Sequence, residues 1–194
     1  MKIIFASHNK HKTKEISALL DGLIQIHSLE EIGIFEELIE SGSTLHENAQ
    51  MKAQAVYEAT DLNCFADDSG LLVEALNGEP GVYSARYAGE QKDSEANMHK
   101  LLANLKGIEN RNARFSTVIC LLLNGKEHYF EGHLDGKINL EKRGNEGFGY
   151  DPVFIPEGSE KTLAEMTLPE KNKISHRAKA FISMRNFFVE NVSF

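Results

Sequence analysis

The sequence predicts a mixed α/β fold, a β-sheet flanked by helices, on three observations. Short apolar strands alternate with amphipathic helices through the first third of the chain. Two β-rich runs then flank Asn124-Gly125, the strongest short hairpin signal. The last segment carries Phe181, Met184, Phe187 and Phe188 at helical spacing. Alternation followed by a hairpin favours a mixed sheet over a purely parallel, doubly wound one. No stretch reads as a linker, so one domain is expected over residues 1–194.

The elements follow in order. Lys2 to Ala6 reads as a short buried strand entering the polar loop Ser7-His8-Asn9-Lys10-His11-Lys12, then a helix with Ile16, Leu19 and Leu20 on one face. Ile24 to Leu29 reads as a second strand. A glycine turn, Glu40-Ser41-Gly42-Ser43, precedes a long helix ending near Thr60, with Thr44 and Glu47 at capping-box spacing. Cys64-Phe65-Ala66 reads as a brief strand ending in the turn Asp67-Asp68-Ser69-Gly70, and Asn77 to Gly89 as an ordered loop. Asp93 or Ser94 can cap a helix facing inward through Met98, Leu101, Leu102 and Leu105. Ala113 to Leu123 and Glu127 to His133 form the hairpin; a glycine-rich loop, Arg143 to Pro152, and a helix from Ser175 complete the chain.

Composition narrows the function classes. The longest strongly apolar run is the six residues Val118 to Leu123, against the roughly 20 needed to span a bilayer. The N-terminus lacks a signal-peptide layout, so a cytoplasmic protein is expected, with no membrane partner. A net charge of -8 argues against broad nucleic-acid binding. It leaves room for a small anion, because local clusters such as Lys10, Lys12 and Lys14, or Lys171, Lys173, Arg177 and Lys179, act at contact distance. Cys64 and Cys120 stand far apart among apolar residues and read as buried free thiols. Any metal is then a hard cation held by carboxylates.

Four segments could carry chemistry. Ser7 to Lys12, between a strand end and a helix start, can present backbone N–H groups and lysines to a polyphosphate, though alone it reads more simply as an ordinary polar connection. Asp67-Asp68-Ser69-Gly70 places adjacent carboxylates whose repulsion a divalent cation would relieve, with an Asp-rich turn as the plain alternative. Successive strand residues point oppositely, so one Asp would face a ligand and the other brace the turn. In Gly147-Phe148-Gly149-Tyr150-Asp151-Pro152, glycines permit close approach and the two aromatic rings offer faces for a base, with a structural loop as the competing explanation. Ser175-His176-Arg177 gathers donors at a helix start.

Taken together, the segments SHNKHK, ESGSTLHENAQMKA, FADDSGLLVEALNGEPGVYSARYAG, GFGYDPVFIPEG, KTLAEMT and PEKNKISHRAKA resemble the inosine triphosphate pyrophosphatase family, the XTP/dITP diphosphatases, nearly end to end. The resemblance implies two lobes on an elongated, twisted mixed sheet with an active-site cleft between them, Mg²⁺ dependence, a homodimer, and hydrolysis of non-standard purine nucleoside triphosphates (dITP, ITP, XTP) to the monophosphate and pyrophosphate. By position, Ser7, His8, Asn9, Lys10, His11, Lys12 and Lys52 match phosphate contacts. Glu40 and Asp68 match the metal site, with Asp68 as general base and Ser69 a substrate contact beside it. Phe148, Gly149, Tyr150 and Asp151 match the nucleoside loop, and Lys171, His176 and Arg177 the residues around the base. His176 or Arg177 could donate to the 6-carbonyl of hypoxanthine or xanthine and clash with the 6-amino group of adenine. His8 stands where the family has glycine; a position requiring positive φ would strain it. A nucleotide sensor that binds without cutting, and a pyrophosphatase for modified pyrimidines, are the rival readings.

Overall fold

The computed structural model describes residues 2–20 and 24–191, with the side chains at 14 and 17–20 outside the described set. The expected inward face of Leu19 and Leu20, and the side chain of Lys14, therefore lie outside the described residues.

Among the described residues seven strands and five α-helices follow in chain order: β1 (Lys2–Phe5), α1 (Lys10–Leu20), β2 (Gln25–Ser28), α2 (Leu45–Thr60), β3 (Cys64–Val73), β4 (Pro80–Gly81), α3 (Ser94–Asn104), β5 (Asn112–Leu123), β6 (Lys126–Ile138), β7 (Phe154–Pro156), α4 (Leu168–Ile174) and α5 (His176–Asn191). The sheet order is β2-β1-β3-β5-β6-β7, with β4 paired to β3. Strand β1 runs parallel to β2 and β3, whereas β4 and β7 run antiparallel to β3 and β6. The sheet is mixed, as the sequence predicts. Among the described residues no helix is long and apolar enough to cross a membrane.

Local chemistry sets the boundaries. Thr44 and Glu47 form the capping box expected at the start of α2, and Asp93 caps α3 through the Glu95 and Ala96 amides. Asn124 and Gly125 both take positive φ, 51° and 75°, the pair that a two-residue hairpin turn requires.

The structure differs from expectation at several places, beginning with the two-residue strand β4 inside the expected loop Asn77 to Gly89. Strand β3 does not stop at Ala66: it runs ten residues, through Asp67-Asp68-Ser69-Gly70, so that segment is strand and not turn. The apolar Leu71-Leu72-Val73 continues the ladder beyond it, and the two carboxylates find ionic partners. Strand β6 extends five residues past His133, because the in-out alternation of burial persists through Leu134 to Ile138. Strand β7 has three residues, too few to show a period. Helix α4 was not expected, although its capping box, Thr167 with Glu170, is written in the sequence.

The chain divides into two compact units. The first comprises Met1–Asp68, Thr117–Gly132 and Arg177–Phe194; the second comprises Ser69–Ser116 and His133–His176. In the first, alternate residues of β1 and β3 feed opposite layers. Ile3, Phe5 and Phe65 pack with Ile16, Phe181, Met184 and Phe188. Ile4, Ala6, Cys64 and Ala66 pack with Ala49, Ala53 and Val56 of α2. The second unit has its own core, in which Leu71, Val73, Met98, Leu101, Phe115 and Phe154 take part.

Candidate active site

The period of two that sorts the first unit's core also sorts its charges. Asp67 continues the Phe65 side of β3 and Asp68 the Ala66 side. Each meets cations from the helices on its own face. Lys12 of α1 donates to both Asp67 oxygens, at 3.0 and 2.9 Å, and Arg177 of α5 reaches the same carboxylate at 3.4 Å. On the other face Lys52 of α2 donates to Asp68 Oδ1 at 3.3 Å and to the Asp67 carbonyl at 2.8 Å. The Asn48 amide, one helical turn before Lys52, donates to Asp68 Oδ2 at 3.2 Å.

Lys52 also carries Glu40. Its Nζ lies 2.5 Å from Glu40 Oε1, so the Glu40 and Asp68 oxygens are bridged by one ammonium. The loop holding Glu40 is fixed by Gly42, whose N–H donates to Asn48 Oδ1 at 2.8 Å. A Cβ on Gly42 would stand 2.6 Å from Glu47 Cβ, so only glycine lets the loop lie this close to α2.

The electrostatics follow from burial. For Asp67 burial works to raise the pKa, but Lys12, Arg177 and Lys52 outweigh it and hold the carboxyl far below the usual range. Burial and Glu40 push Asp68 up, against the opposing pull of Lys52 and Lys12. Burial lowers Lys12, helped by Lys52 and Arg177, whereas in Lys52 the three carboxylates overcome burial and raise it. Within this cluster four carboxylates (Glu15, Glu40, Asp67 and Asp68) and three cationic groups (Lys12, Lys52 and Arg177) come together.

The remainder of the expected phosphate loop is organised differently from its reading. Asn9 Oδ1 accepts from the His11 and Lys12 amides, so two backbone donors expected at a ligand cap the helix instead. Asn9 N donates to the Ser7 hydroxyl. Lys10 is exposed, with no ion pair among the described residues. His8 is absent from the positive-φ residues, which outside glycine are Asp61, Asn77, Lys92 and Asn124, so it bears no left-handed strain. Its Nε2 lies 3.0 Å from the Glu36 carbonyl, which can only accept; Nε2 therefore carries the proton.

In the second unit Asp151 is buried and its Oδ2 accepts from Phe148 N at 2.9 Å and from Lys171 Nζ at 2.6 Å. The Lys171 ammonium also stands 5.0 Å from the centre of the Phe148 ring. Gly147 and Gly149 take φ of 76° and 62°, and a Cβ on Gly147 would overlap Asp151 Oδ2. Phe148 is half-buried, but Tyr150 is a core residue, 4 % exposed, with its hydroxyl donating to the Ser84 carbonyl at 2.9 Å. Tyr150 thus offers no stacking face, contrary to expectation. His176 is buried and lies flat on Phe115, centroids 4.6 Å apart. Ser69 is half-buried in β3.

Arg177 departs furthest from its expected place. Only 3 % exposed, its guanidinium is committed to Asp67 and Glu15. Sequence reasoning missed Glu15 and Asn48 entirely and gave Asp67 only a turn. The available signal was helical spacing: Glu15 follows Lys12 by three residues, and Asn48 precedes Lys52 by four.

A mixed sheet bearing a buried carboxylate–lysine centre defines the class, an α/β protein built around concentrated opposite charge. Residues 3–187 match the model of the Ham1 family, and the chain belongs to that family. It is 51% identical over 188 residues to a dITP/XTP pyrophosphatase of Flavobacterium psychrophilum, covering 97% of this chain and 99% of that one. A Bacillus subtilis dITP/XTP pyrophosphatase is 52% identical over 181 residues, 91% of each chain. Among solved structures, a Ham1 protein from Coxiella burnetii superposes with a TM-score of 0.91 at 38% identity, covering 98% of this chain and 99% of the other. The Staphylococcus aureus Ham1 protein gives 0.88 at 40% identity, with both chains fully covered.

Proposed function

We propose that this chain hydrolyses non-standard purine nucleoside triphosphates (dITP, ITP and XTP) to the monophosphate and pyrophosphate, clearing them from the nucleotide pool. The names of its relatives support the substrate class and the bond cut. The observation that carries the chemistry is Asp68: a buried carboxyl on a strand, held by Asn48 and Lys52, with Glu40 on the same ammonium.

Burial and the neighbouring Glu40 raise Asp68, which makes it a better proton acceptor than an exposed aspartate. Asp68 orients water toward the α-phosphorus and takes its proton; the Asn48 amide fixes the rotation of the carboxyl. Lys10, Lys12 and Lys52 neutralise the departing pyrophosphate. Glu40 and Asp68 would hold Mg²⁺. Their oxygens are hard donors and each raises the cost of the other's charge, so the donor set fits a hard divalent cation. Bound there, such an ion supplies charge neutralisation at the phosphate oxygens.

In the second unit, Phe148 is the ring on which the base stacks and Ser69 a further substrate contact. Lys171 and His176 supply the donors that favour a 6-carbonyl, while Arg177 holds Asp67 in place. The reading includes a cytoplasmic homodimer, as the family resemblance implies; sedimentation as a monomer would remove that part. The decisive measurement is pyrophosphate release with Mg²⁺ from dITP, ITP, XTP, GTP and ATP. Release from the first three at rates well above the last two is expected; orthophosphate as product, or equal rates on ATP and ITP, would overturn the reading.

A further inference from the structure

From the end of β4 toward α3 runs a segment for which the chemistry above has no use, Gly81-Val82-Tyr83-Ser84-Ala85-Arg86. Its centre, Ser84, is buried and bonded in three directions. The hydroxyl donates to the Gly81 carbonyl at 2.6 Å and accepts from Leu71 N at 2.9 Å. The carbonyl accepts from the Tyr150 hydroxyl at 2.9 Å. Leu71 follows Ser69 by two residues on β3, and Tyr150 sits between Gly149 and Asp151. One serine thus ties the strand bearing the proposed substrate contact to the loop bearing the proposed base platform.

That loop needs an anchor. Gly147 and Gly149 at positive φ leave its backbone few intrinsic preferences, so contacts must select one conformation. Asp151 provides one contact through Phe148 N and Lys171. A second is the Tyr150 phenol. Burial, then Tyr87, push its ionisation up, so it remains a hydrogen-bond donor through the working range.

We propose that Ser84 and the Tyr150 hydroxyl form a positioning couple that sets purine selectivity, by fixing Phe148 and Lys171 at one height relative to Ser69. This rests on the proposed nucleotide chemistry. Neither residue touches the base in this account; both act through the loop.

Tyr150→Phe keeps the ring and deletes only the donor, and Ser84→Ala deletes the hydroxyl. Pyrophosphate release and equilibrium binding are measured for dITP and dGTP in both variants and in the double variant, alongside amide exchange across 147–151. Loss of one buried hydrogen bond should lower the dITP-over-dGTP preference roughly five- to tenfold. The rise in KM should exceed the fall in kcat, and exchange in the loop should quicken. The double variant should be no worse than the more damaging single one, since both break one chain of bonds. If the preference ratio and the loop exchange stay at wild-type values in Tyr150→Phe, the couple has no such role. Equal losses for both nucleotides, matched by a lower melting temperature, would mark a purely structural bond and equally overturn it. If wild type releases no pyrophosphate from any nucleotide, the functional reading falls, while the binding ratio and loop exchange still decide whether the couple tunes base choice.

Discussion

The ammonium of Lys52 stands 2.5 Å from Glu40 and is shared with Asp68 at 3.3 Å, so one cation holds together two carboxylates that would otherwise repel. Removing that charge should expose the repulsion. Breaking a buried pair by deleting one partner costs on the order of 3–5 kcal/mol, because the remaining charges stay uncompensated. Lys52→Met is therefore expected to lower the melting temperature sharply. Millimolar Mg²⁺ should restore more of the loss in this variant than it adds to wild type, since the ion would take the place of the missing ammonium. Thermal melts with and without Mg²⁺ check this; equal gains would show that the ion does not replace the ammonium, and no gain in either protein would argue that Glu40 and Asp68 hold no divalent cation.

Asp68→Asn separates chemistry from folding. The amide keeps the shape of the side chain but accepts no proton. General-base contributions are typically about 10²–10⁴ in rate, so turnover should fall by at least that factor. The melt should stay near that of wild type, because burial and Glu40 already make the charged form costly here. Turnover within tenfold of wild type would reassign the base.

Much of this site was legible in the sequence, and the part that was not has a physical cause. Asp68 stood out through its adjacent carboxylates, Glu40 and Lys52 followed from the family resemblance, and the three converge on one ammonium. What local motifs could not supply was pairing across the chain. Arg177 lies 110 residues from Asp67, so its burial on that carboxylate depends on α5 covering the same face of β3 as α1. Tyr150 looked like a stacking ring because an aromatic between glycines has no local signature of burial; its partner, Ser84, is 66 residues away. For the fold, strong signals such as Asn124-Gly125 and the Thr44–Glu47 capping box located elements well. Strand β3 was cut short because two adjacent aspartates read as a turn whenever the cations that neutralise them are out of view.

Asp67 makes a prediction about acid. Its folded-state pKa is depressed below its unfolded value, because Lys12, Arg177 and Lys52 outweigh burial. The stabilisation is thus fully present above the unfolded pKa, about 4 for an aspartate, and is lost as pH falls from there toward the folded pKa. Asp67→Asn should be destabilised relative to wild type by a constant amount near neutral pH. The gap should narrow below about pH 4. Denaturant melts of both proteins across that range test the sign; a gap that widens in acid would contradict it.

The cysteines should be silent. Both thiols are buried, and burial is the main cause pushing Cys64 to about 12 and Cys120 to about 11. The thiolate is the reactive form, so neither should react with a thiol-specific chromogenic disulfide in the native protein, and both should react after denaturation. Rapid native labelling of either would mean that the first unit opens readily.

Gly147 tests the base loop independently of catalysis. Its φ of 76° is unfavourable for any residue with a Cβ, and that Cβ would overlap the Asp151 oxygen that accepts from Phe148 N and Lys171. Gly147→Ala must therefore either displace Asp151 or flatten the turn. Left-handed strain alone costs about 1–2 kcal/mol, and freeing a buried lysine from its carboxylate adds to it. The expected result is a lower melting temperature together with a KM for dITP raised at least tenfold. The proposed phosphate chemistry at Asp68 draws on no residue of this loop, so kcat should fall much less than kcat/KM. A kcat that collapses while KM stays put would place the loop in the chemical step and not in base recognition.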